Sequence, residues 1–283
     1  MPDILPNVHI QLITCQLYRC SALLGSHSTA SVKGMIGLPE AVTACLFDLD
    51  GVLTSTADVH RRAWKHTFDE LLSRRAPDSP PFTERDYATY VDGRSRLDGV
   101  RAFLSSRGIK LPEGGEHDDV DAETVHGVGN RKNQLLLRVL TEEGVEPYPG
   151  SVRYLDAVRD RGLAIGVVTS SANGERVLKA ANLSGYVQAR VDGIVIERKG
   201  LRGKPAPDSF LACAAELGVS PSTTAVFEDA QAGVRAGRDG GFGYVIGVNR
   251  ADPDGHADQE RALREQGADI VVNDLADLLE AQT

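Results

Sequence analysis

An apolar segment ends in two closely spaced acids in the sequence Cys45-Leu46-Phe47-Asp48-Leu49-Asp50-Gly51-Val52-Leu53-Thr54. The pattern predicts a buried strand that carries Asp48 and Asp50 at its open end, where residues two apart share a side. Gly51 then lets the chain turn away without a Cβ atom. Because like charges held close repel each other, the pair indicates a cation, a shared proton or a cationic substrate nearby. The alternative for such an isolated motif is a strand that runs into a plain polar turn.

The composition is that of an ordinary globular protein. The 283 residues are 41% hydrophobic and 25% charged, with a mean hydropathy of −0.21. This is enough chain for a full core and a second, smaller module. The net charge of −9 argues against nucleic acid as a partner, because phosphate backbones select basic surfaces. A small phosphorylated substrate stays compatible with this charge, since a few local Lys and Arg residues can hold one phosphate.

The four cysteines form no disulfide framework and no metal-binding pattern. Cys45 and Cys213 fall within a predicted strand and a predicted helix, where a small buried thiol packs well. Cys15 and Cys20 lack the CxxC spacing and a second pair. We therefore expect a reduced, cytoplasmic protein.

Residues 1–39 differ from the rest of the chain and are predicted to form a poorly ordered or loosely docked N-terminal extension. The segment Ile10–Leu24 is interrupted by polar residues and follows no basic stretch, so we do not expect a secretory signal. No run in the sequence approaches the ~18 apolar residues of a membrane-spanning helix, so no membrane partner is expected. Met35 is a candidate for the true first residue.

The remainder of the chain is predicted to form a parallel α/β sheet with an inserted helical block. Short apolar runs alternate with amphipathic helices after Tyr148, which is typical of a parallel sheet with right-handed crossovers. No strand is expected within 57–147. The fold class is therefore α/β, with a Rossmann-like core at 40–56 and 148–283 and an all-helical cap at 57–147. The predicted helices are Ala57–Arg74, Glu84–Tyr90, Arg96–Ser106, Asn130–Glu143, Ser151–Arg161, Gly174–Ala181, Pro207–Leu217, Ala230–Arg238 and Leu275–Ala281. The later extended segments are Ala164–Thr169, Gly193–Ile196, Thr224–Phe227, Tyr244–Val248 and Ile270–Val272.

Ligands of such sheets bind beyond the carboxyl ends of the strands, so the residues after each strand predict the site. Each of these segments alone has a plain explanation: a lysine is usually a solvated charge, serines cap helices, and acids favour a helix N-terminus. Together they supply a nucleophile, hydroxyl groups, a lysine and a second acidic pair, which are the components of Mg²⁺-assisted phosphoryl transfer. The segments are Asp48-Leu49-Asp50, Thr169-Ser170-Ser171-Ala172-Asn173-Gly174, Gly203-Lys204-Pro205-Ala206-Pro207-Asp208 and Glu228-Asp229.

These segments resemble, in the same order, the four motifs of the haloacid dehalogenase superfamily. Within it, residues 43–281 are similar to the β-phosphoglucomutase-like branch. The resemblance implies the Rossmann-like core and inserted cap described above. Further similarities are Thr56-Ala57-Asp58-Val59-His60-Arg61-Arg62-Ala63-Trp64-Lys65, Gly93-Arg94-Ser95-Arg96, Asn130-Arg131-Lys132-Asn133 and Asn182-Leu183-Ser184-Gly185-Tyr186.

The resemblance also implies a mechanism. Asp48 would attack phosphorus and form an aspartyl-phosphate, which divides one difficult displacement into two. Asp50 would give a proton to the departing sugar oxygen and take one from the incoming nucleophile. A dehalogenase that acts on carbon does not need this second acid, so its presence favours phosphorus chemistry.

The same resemblance assigns a cofactor and a phosphate-binding set. Mg²⁺ is the expected cofactor, because its hard charge suits oxygen ligands. The expected metal ligands are Asp48, Asp50 through its carbonyl, Glu228 and Asp229. The expected phosphate-binding groups are Lys204, Thr169 and the amides of Ser170 and Ser171.

Substrate-binding residues on the cap are likewise implied by the resemblance. His60 would lie near the acid–base residue, and the loop at 93–96 would hold the distal phosphate of a sugar. The alternative for a lone His or Trp on an amphipathic helix is packing, and the alternative for Arg94 and Arg96 is a solvated helix start. The candidates are His60, Trp64, Gly93, Arg94, Ser95, Arg96, Lys132, Asn133, Ser170, Ser171 and Asn173.

The resemblance leaves three functions open. The first is conversion of β-glucose 1-phosphate to glucose 6-phosphate, with glucose 1,6-bisphosphate as intermediate. The second is a sugar-phosphate phosphatase, for example on trehalose 6-phosphate, and it stays open because Asp92 and Ala172 stand where mutases of this branch often carry lysine. The third is a non-catalytic module that binds a sugar phosphate. The expected partner is a small phosphorylated sugar, and the expected state is a monomer or a weak homodimer.

Overall fold

The computed structural model describes residues 36–280. Predictions for Cys15, Cys20, Met35 and the rest of 1–35 lie outside the described residues. The strands are β1 (Ala44–Phe47), β2 (Ala164–Val168), β3 (Ala189–Val191), β4 (Thr224–Glu228), β5 (Tyr244–Val248) and β6 (Ile270–Val272). The helices are α1 (Ala57–Arg75), α2 (Glu84–Asp86), α3 (Arg96–Ser106), α4 (Val125–Glu143), α5 (Pro149–Asp160), α6 (Gly174–Ala180), α7 (Gly193–Lys199), α8 (Asp208–Leu217), α9 (Gln231–Asp239), α10 (His256–Glu265) and α11 (Asp277–Glu280). A π-helical turn spans Tyr87–Val91, and 3₁₀ turns lie at Ser184–Tyr186 and Pro221–Thr223.

The six strands form one parallel sheet in the order β3-β2-β1-β4-β5-β6, which confirms the predicted fold class. The central strand β1 is buried on both faces. Cys45 and Phe47 pack with Tyr154 on one face, and Leu46 packs with Phe210 on the other. Burial on both faces explains why the opening strand is an unbroken apolar run and does not alternate with polar residues.

The helices α1 to α4 form an inserted cap with its own apolar core. Phe68 is fully buried at its centre, with ring centroids of Trp64, Phe82 and Phe103 at 5.0, 5.1 and 4.1 Å. Trp64, Phe68 and Leu71 recur at helical spacing on α1, so one face of that helix enters this core. The all-helical insert is therefore confirmed, whereas the residue limits predicted for the extension, the core and the cap stay predictions.

One predicted element is wrong. The segment Gly193–Ile196 was expected to be extended, but it is the first part of helix α7, and the strand of this region is β3. The β-branched residues of this segment favour a strand. The Asp192 side chain instead accepts a hydrogen bond from the Val195 amide at 3.0 Å and caps the helix.

The predicted helix Glu84–Tyr90 corresponds to α2 together with the π-helical turn that continues it to Val91. Most other helices and strands agree with the prediction to within two residues, but two helices differ. Helix α4 begins five residues before the predicted Asn130, because Thr124 accepts a hydrogen bond from the Gly127 amide at 2.9 Å and caps it there. Helix α10 was not predicted; its sequence is mostly polar, and Leu263 is its only fully buried side chain. Among residues 36–280, every helix is too short or too polar to cross a lipid bilayer.

The cap core gives a stability prediction. Phe68→Ala removes a fully buried ring, so we expect the free energy of unfolding to fall by about 3–5 kcal/mol. Urea unfolding followed by fluorescence of the single tryptophan, Trp64, measures this directly because Trp64 lies in the same core. The control is Ile194→Ala, whose side chain is 56% exposed and should change stability by less than about 0.5 kcal/mol. An unchanged midpoint for Phe68→Ala would contradict the described cap core.

Candidate active site

A buried lysine joins two strand ends at the carboxyl edge of the sheet. Lys204 Nζ donates hydrogen bonds to Asp48 Oδ1 at 2.6 Å, to the Val168 carbonyl at 3.1 Å and to the Glu228 carboxylate. Burial alone would lower the pKa of Lys204, but the adjacent carboxylates of Asp48 and Glu228 raise it above its ordinary value. The lysine therefore stays protonated, and the explanation of Lys204 as a solvated charge is excluded.

The second acid of the pair is held by hydroxyl groups. Asp50 accepts hydrogen bonds from Thr56 Oγ1 and, at 3.2 Å, from Thr169 Oγ1. His60 Nε2 lies 3.6 Å from Asp50 Oδ1. Thr56 was not predicted as a site residue, although it begins the segment Thr56–Lys65 that resembles the family. It stands directly before α1. These contacts orient the Asp50 carboxylate toward the cavity that lies between core and cap.

A tight turn brings Asp229 against the acidic pair. Gly51 has φ +88°, and a Cβ atom there would lie 1.8 Å from Asp229 Oδ2. Only glycine permits this approach. Burial raises the pKa of Asp229, and the negative charges of Asp92, Glu228 and Asp48 raise it further. The site therefore holds more negative charge than the single ammonium of Lys204 offsets.

The donor set fits Mg²⁺. Among the described residues, no three His, Cys, Asp or Glu side chains surround one common point. Mg²⁺ does not require such a cage, since it is usually held by one or two carboxylates, with water and substrate phosphate completing the shell. Asp48, Asp50 and Asp229 line the same cavity, and the carboxylates of Asp48 and Asp229 and the Asp50 carbonyl would supply such oxygens. Both oxygens of Glu228 have protein partners, Lys204 and the Ala230 amide, so its role as a ligand stays a prediction.

On the cap side, Lys132 contacts two other predicted residues. Lys132 Nζ lies 3.1 Å from His60 Nδ1 and 5.1 Å from the Trp64 ring centroid. Burial lowers the pKa of His60 to about 4, with the Lys132 charge as the next cause. Burial likewise lowers the pKa of Lys132 to about 7. Trp64 both lines the cavity and packs on Phe68, so packing accounts for much of its surface.

The loop at 93–96 combines structural and cavity-facing groups. Ser95 caps α3, since its Oγ accepts a hydrogen bond from the Asp98 amide at 3.3 Å. The Nε atom of Arg96 is buried and has no hydrogen-bond partner among the described residues. Burial lowers the pKa of Arg96, although Glu197 and Glu116 oppose this. Arg96 therefore presents an unused donor beside the cavity, as a site for an anionic group requires.

Several predicted phosphate- and sugar-binding residues join the cap to the core. Ser170 Oγ donates to the Gly93 carbonyl at 2.7 Å, and Asn173 Nδ2 donates to Asn133 Oδ1 at 2.9 Å. Gly93, at φ +72°, approaches the core so closely that a Cβ atom would lie 3.0 Å from Ala230 Cβ. These contacts describe a cap that is closed on the core.

All the predicted site residues except Lys204 line one cavity of about 320 Å³ between core and cap. Lys204 lies behind Asp48 and Glu228. The cavity also has charged and aromatic lining residues that the sequence did not indicate. Glu197 comes from core helix α7, and the others come from cap segments whose orientation the sequence leaves open. These lining residues are Tyr87, Asp98, Arg101, Glu116, His126 and Glu197. Burial, together with the negative charge of Glu228, raises the pKa of Asp92 to about 7.

Comparison with known proteins identifies the family. A family model of haloacid dehalogenase-like hydrolases matches residues 42–241. The chain belongs to that family. A β-phosphoglucomutase from Mycobacterium tuberculosis is 53% identical over 250 residues, which cover 87% of this chain and 94% of that protein. A β-phosphoglucomutase from Bacillus subtilis is 32% identical, over 83% of this chain and 91% of that protein.

The fold of this chain is also seen in a solved structure. A hydrolase from Pseudomonas syringae superposes with a TM-score of 0.66 at 24% identity, over 84% of this chain and 96% of that one. Membership in the haloacid dehalogenase-like family confirms the predicted resemblance and the prediction that the chain is an enzyme. Members of this family generally use Mg²⁺, in agreement with the oxygen donors described above.

Metal binding is testable without substrate. We expect MgCl₂ in about 100-fold excess over its dissociation constant to raise the melting temperature by about 5–10 °C relative to EDTA. Asp229→Asn should lose this shift while keeping the fold, because it removes one of several mutually repelling acids. The exposed Asp239→Asn is the matched control and should keep it. An equal shift in wild type and Asp229→Asn would place Mg²⁺ elsewhere.

The buried Lys132 predicts a pH dependence of stability. The folded protein releases its proton near pH 7, whereas the unfolded chain holds it up to the ordinary value of 10.5. The unfolded state therefore binds more protons in this window, so this group makes stability rise with pH. Lys132→Met should be more stable than wild type at pH 6.5, and the difference should shrink toward pH 9.5. Urea titrations at both pH values measure it, with the exposed Lys179→Met as control; a pH-independent difference would contradict the buried cation.

Proposed function

We propose that the protein is a Mg²⁺-dependent phosphoryl-transfer enzyme that converts β-glucose 1-phosphate to glucose 6-phosphate through an aspartyl-phosphate on Asp48. The observation that carries the proposal is the buried Lys204 beside Asp48 Oδ1, with Asp50 two residues further on. The 53% identity to a mycobacterial β-phosphoglucomutase supports the choice of substrate.

Asp48 is suited to be the nucleophile. It is 7% exposed and lies at the end of β1, where the lysine ammonium offsets the charge of an approaching phosphate. An Asp48 oxygen forms a bond to phosphorus while the bond between phosphorus and the sugar oxygen breaks. Mg²⁺, when bound by Asp48, Asp229 and the Asp50 carbonyl, supplies additional positive charge at the transferring group.

Asp50 is suited to move the proton. Its carboxylate is held by Thr56 and Thr169, and His60 is close to it, so it can donate to the departing sugar oxygen. In the reverse direction it takes the proton of the sugar hydroxyl that attacks the phosphorylated Asp48. The same residue thus serves as acid in one half-reaction and as base in the other.

In the proposed isomerisation, both phosphoryl transfers take place in the one cavity between core and cap. Phosphorylated Asp48 transfers its phosphoryl group to the C6 hydroxyl of β-glucose 1-phosphate, which gives glucose 1,6-bisphosphate. The bisphosphate then turns within the cavity of about 320 Å³ and returns its C1 phosphoryl group to Asp48. The second phosphate would lie against Arg96, whose Nε atom is buried without a partner, with Lys132 nearby. The closed cap keeps water from the phosphorylated aspartate.

A phosphatase is the second candidate. Asp92 is a carboxylate that lines the cavity near Glu228 and Asp229, and Ala172 has no charge, so both weaken the hold on a bisphosphate. Water would then take the phosphoryl group from Asp48, and trehalose 6-phosphate is one candidate substrate. The cytoplasmic location and the monomer or weak-homodimer state stay predictions.

One assay separates these functions. The protein is supplied with Mg²⁺, β-glucose 1-phosphate and a trace of glucose 1,6-bisphosphate, and both glucose 6-phosphate and free phosphate are measured. We expect glucose 6-phosphate without matching phosphate release. Asp48→Asn should lower turnover by about 10⁴-fold, and Asp50→Asn by about 10²–10⁴-fold. The exposed Asp58→Asn is the charge-matched control and should stay within about twofold.

Each contrary outcome has a definite meaning. Phosphate release without isomerisation, on this substrate or on trehalose 6-phosphate, would replace the mutase by the phosphatase. Turnover that is unchanged in Asp48→Asn would exclude this site as the source of activity. Tight binding of a sugar phosphate with no turnover in wild type would favour the non-catalytic module.

A further inference from the structure

Two linkers connect the cap to the core, and they pair with each other. The first runs from Gly51 to α1, and the second runs from the end of α4 to α5. The Ser55 amide donates to the Glu146 carbonyl at 3.0 Å, and the Tyr148 amide donates to the Leu53 carbonyl at 3.0 Å. An antiparallel bridge between Thr54 and Pro147 lies between these bonds. The cap is therefore joined to the core by a short two-stranded hinge.

One core residue contacts both linkers. Arg250 follows β5, and its Nε donates to the Gly51 carbonyl of the first linker at 3.3 Å. Its guanidinium carbon lies 3.9 Å from the ring centroid of Tyr148 in the second linker. Its Nη1 donates to the Asn273 carbonyl and to Asp274 Oδ2, each at 2.8 Å, beyond β6. The arginine thus ties the hinge to two strand ends of the core.

The surroundings hold this guanidinium in one place. Arg250 is 18% exposed, and its planar group can stack on a ring and donate at its edges at the same time, which an ammonium cannot do. Burial raises the pKa of Asp274, but hydrogen bonds from Arg250 and the Ala276 amide outweigh this and hold it below its ordinary value. Asp274 is therefore a charged and fixed partner for the arginine.

We infer that Arg250 is a positioning residue that fixes the hinge of the cap and, through the Gly51 carbonyl, the turn that carries Asp50. This inference rests on the proposed function, because Asp50 is the acid–base residue of that reaction. A displacement of this turn should slow the chemical step more than it weakens substrate binding. Displacements of about 1 Å in a catalytic group can cost about 100-fold in rate.

The test compares matched variants of the full chain. Arg250→Met keeps the apolar stem and removes the charge and the donors; we expect kcat to fall by about 10- to 100-fold, with KM within about threefold. Tyr148→Leu removes the stacking surface and should lower kcat in the same way, whereas Tyr148→Phe keeps the ring and should restore it. Arg238→Met is the control, because Arg238 also donates to a backbone carbonyl and an Asp, but at Gly267 and Asp269.

A second measurement needs no substrate. Hydrogen exchange of amides in 51–56 and 144–149 should become about tenfold faster in Arg250→Met, with the core strands unchanged. Because exchange is independent of turnover, a wild-type protein without mutase activity would refute the proposed function and leave this measurement intact. Unchanged hinge exchange, or an unchanged kcat in an active enzyme, would overturn the inference. Faster exchange throughout the sheet would also overturn the inference, since it would indicate a general structural role. If Arg250→Met does not fold, the same two measurements on Tyr148→Leu test the inference.

Discussion

The contact on which the site depends is the buried ion pair of Lys204 with Asp48 and Glu228. Removing an ammonium and two carboxylates from water is costly, and the cost is offset only when the groups meet with good hydrogen-bond geometry. That geometry requires β1, β4 and the loop before α8 to end at the same edge of the sheet. Such pairs add little net stability, so the arrangement is better explained by the chemistry of Asp48 than by the stability of the fold.

Charge balance links the core to the cap. At the strand ends the core supplies four acids, Asp48, Asp50, Glu228 and Asp229, against one buried lysine. The cap adds Asp92 near Glu228 and Asp229, and it also brings Lys132 and Arg96 to the cavity. Closure therefore encloses an acidic end, which favours a divalent cation, and an end with Lys132 and Arg96, which favour an anion although Glu116 and Glu197 lie near Arg96. A substrate with a phosphate group matches both ends when a metal ion lies between the acids and the phosphate.

The sequence predicted which core residues come together at the sheet edge, but it did not predict the full cap lining of the cavity, for physical reasons. The parallel topology brings strand ends together, so Asp48, Thr169 and Glu228 could be grouped from their order alone. Side chains such as Tyr87 and Glu116 enter the cavity only because of how the cap helices pack, which local pattern does not encode. The error at Gly193–Ile196 has a similar cause, since one capping contact from Asp192 outweighed the strand preference of its residues.

Two contacts from the start of α1 link the Asp50 carboxylate to the cap. Asp50 is followed at once by the first linker, and Thr56, at the start of α1, donates its hydroxyl to the Asp50 carboxylate and makes no capping bond to its own helix. His60, one turn further along α1, lies 3.6 Å from the same carboxylate. A rotation of α1 with the cap would therefore break both contacts and leave the Asp50 carboxylate with the hydrogen bond from Thr169 of the core. In the proposed reaction, the two contacts from α1 would therefore help to set the orientation of the residue that transfers the proton.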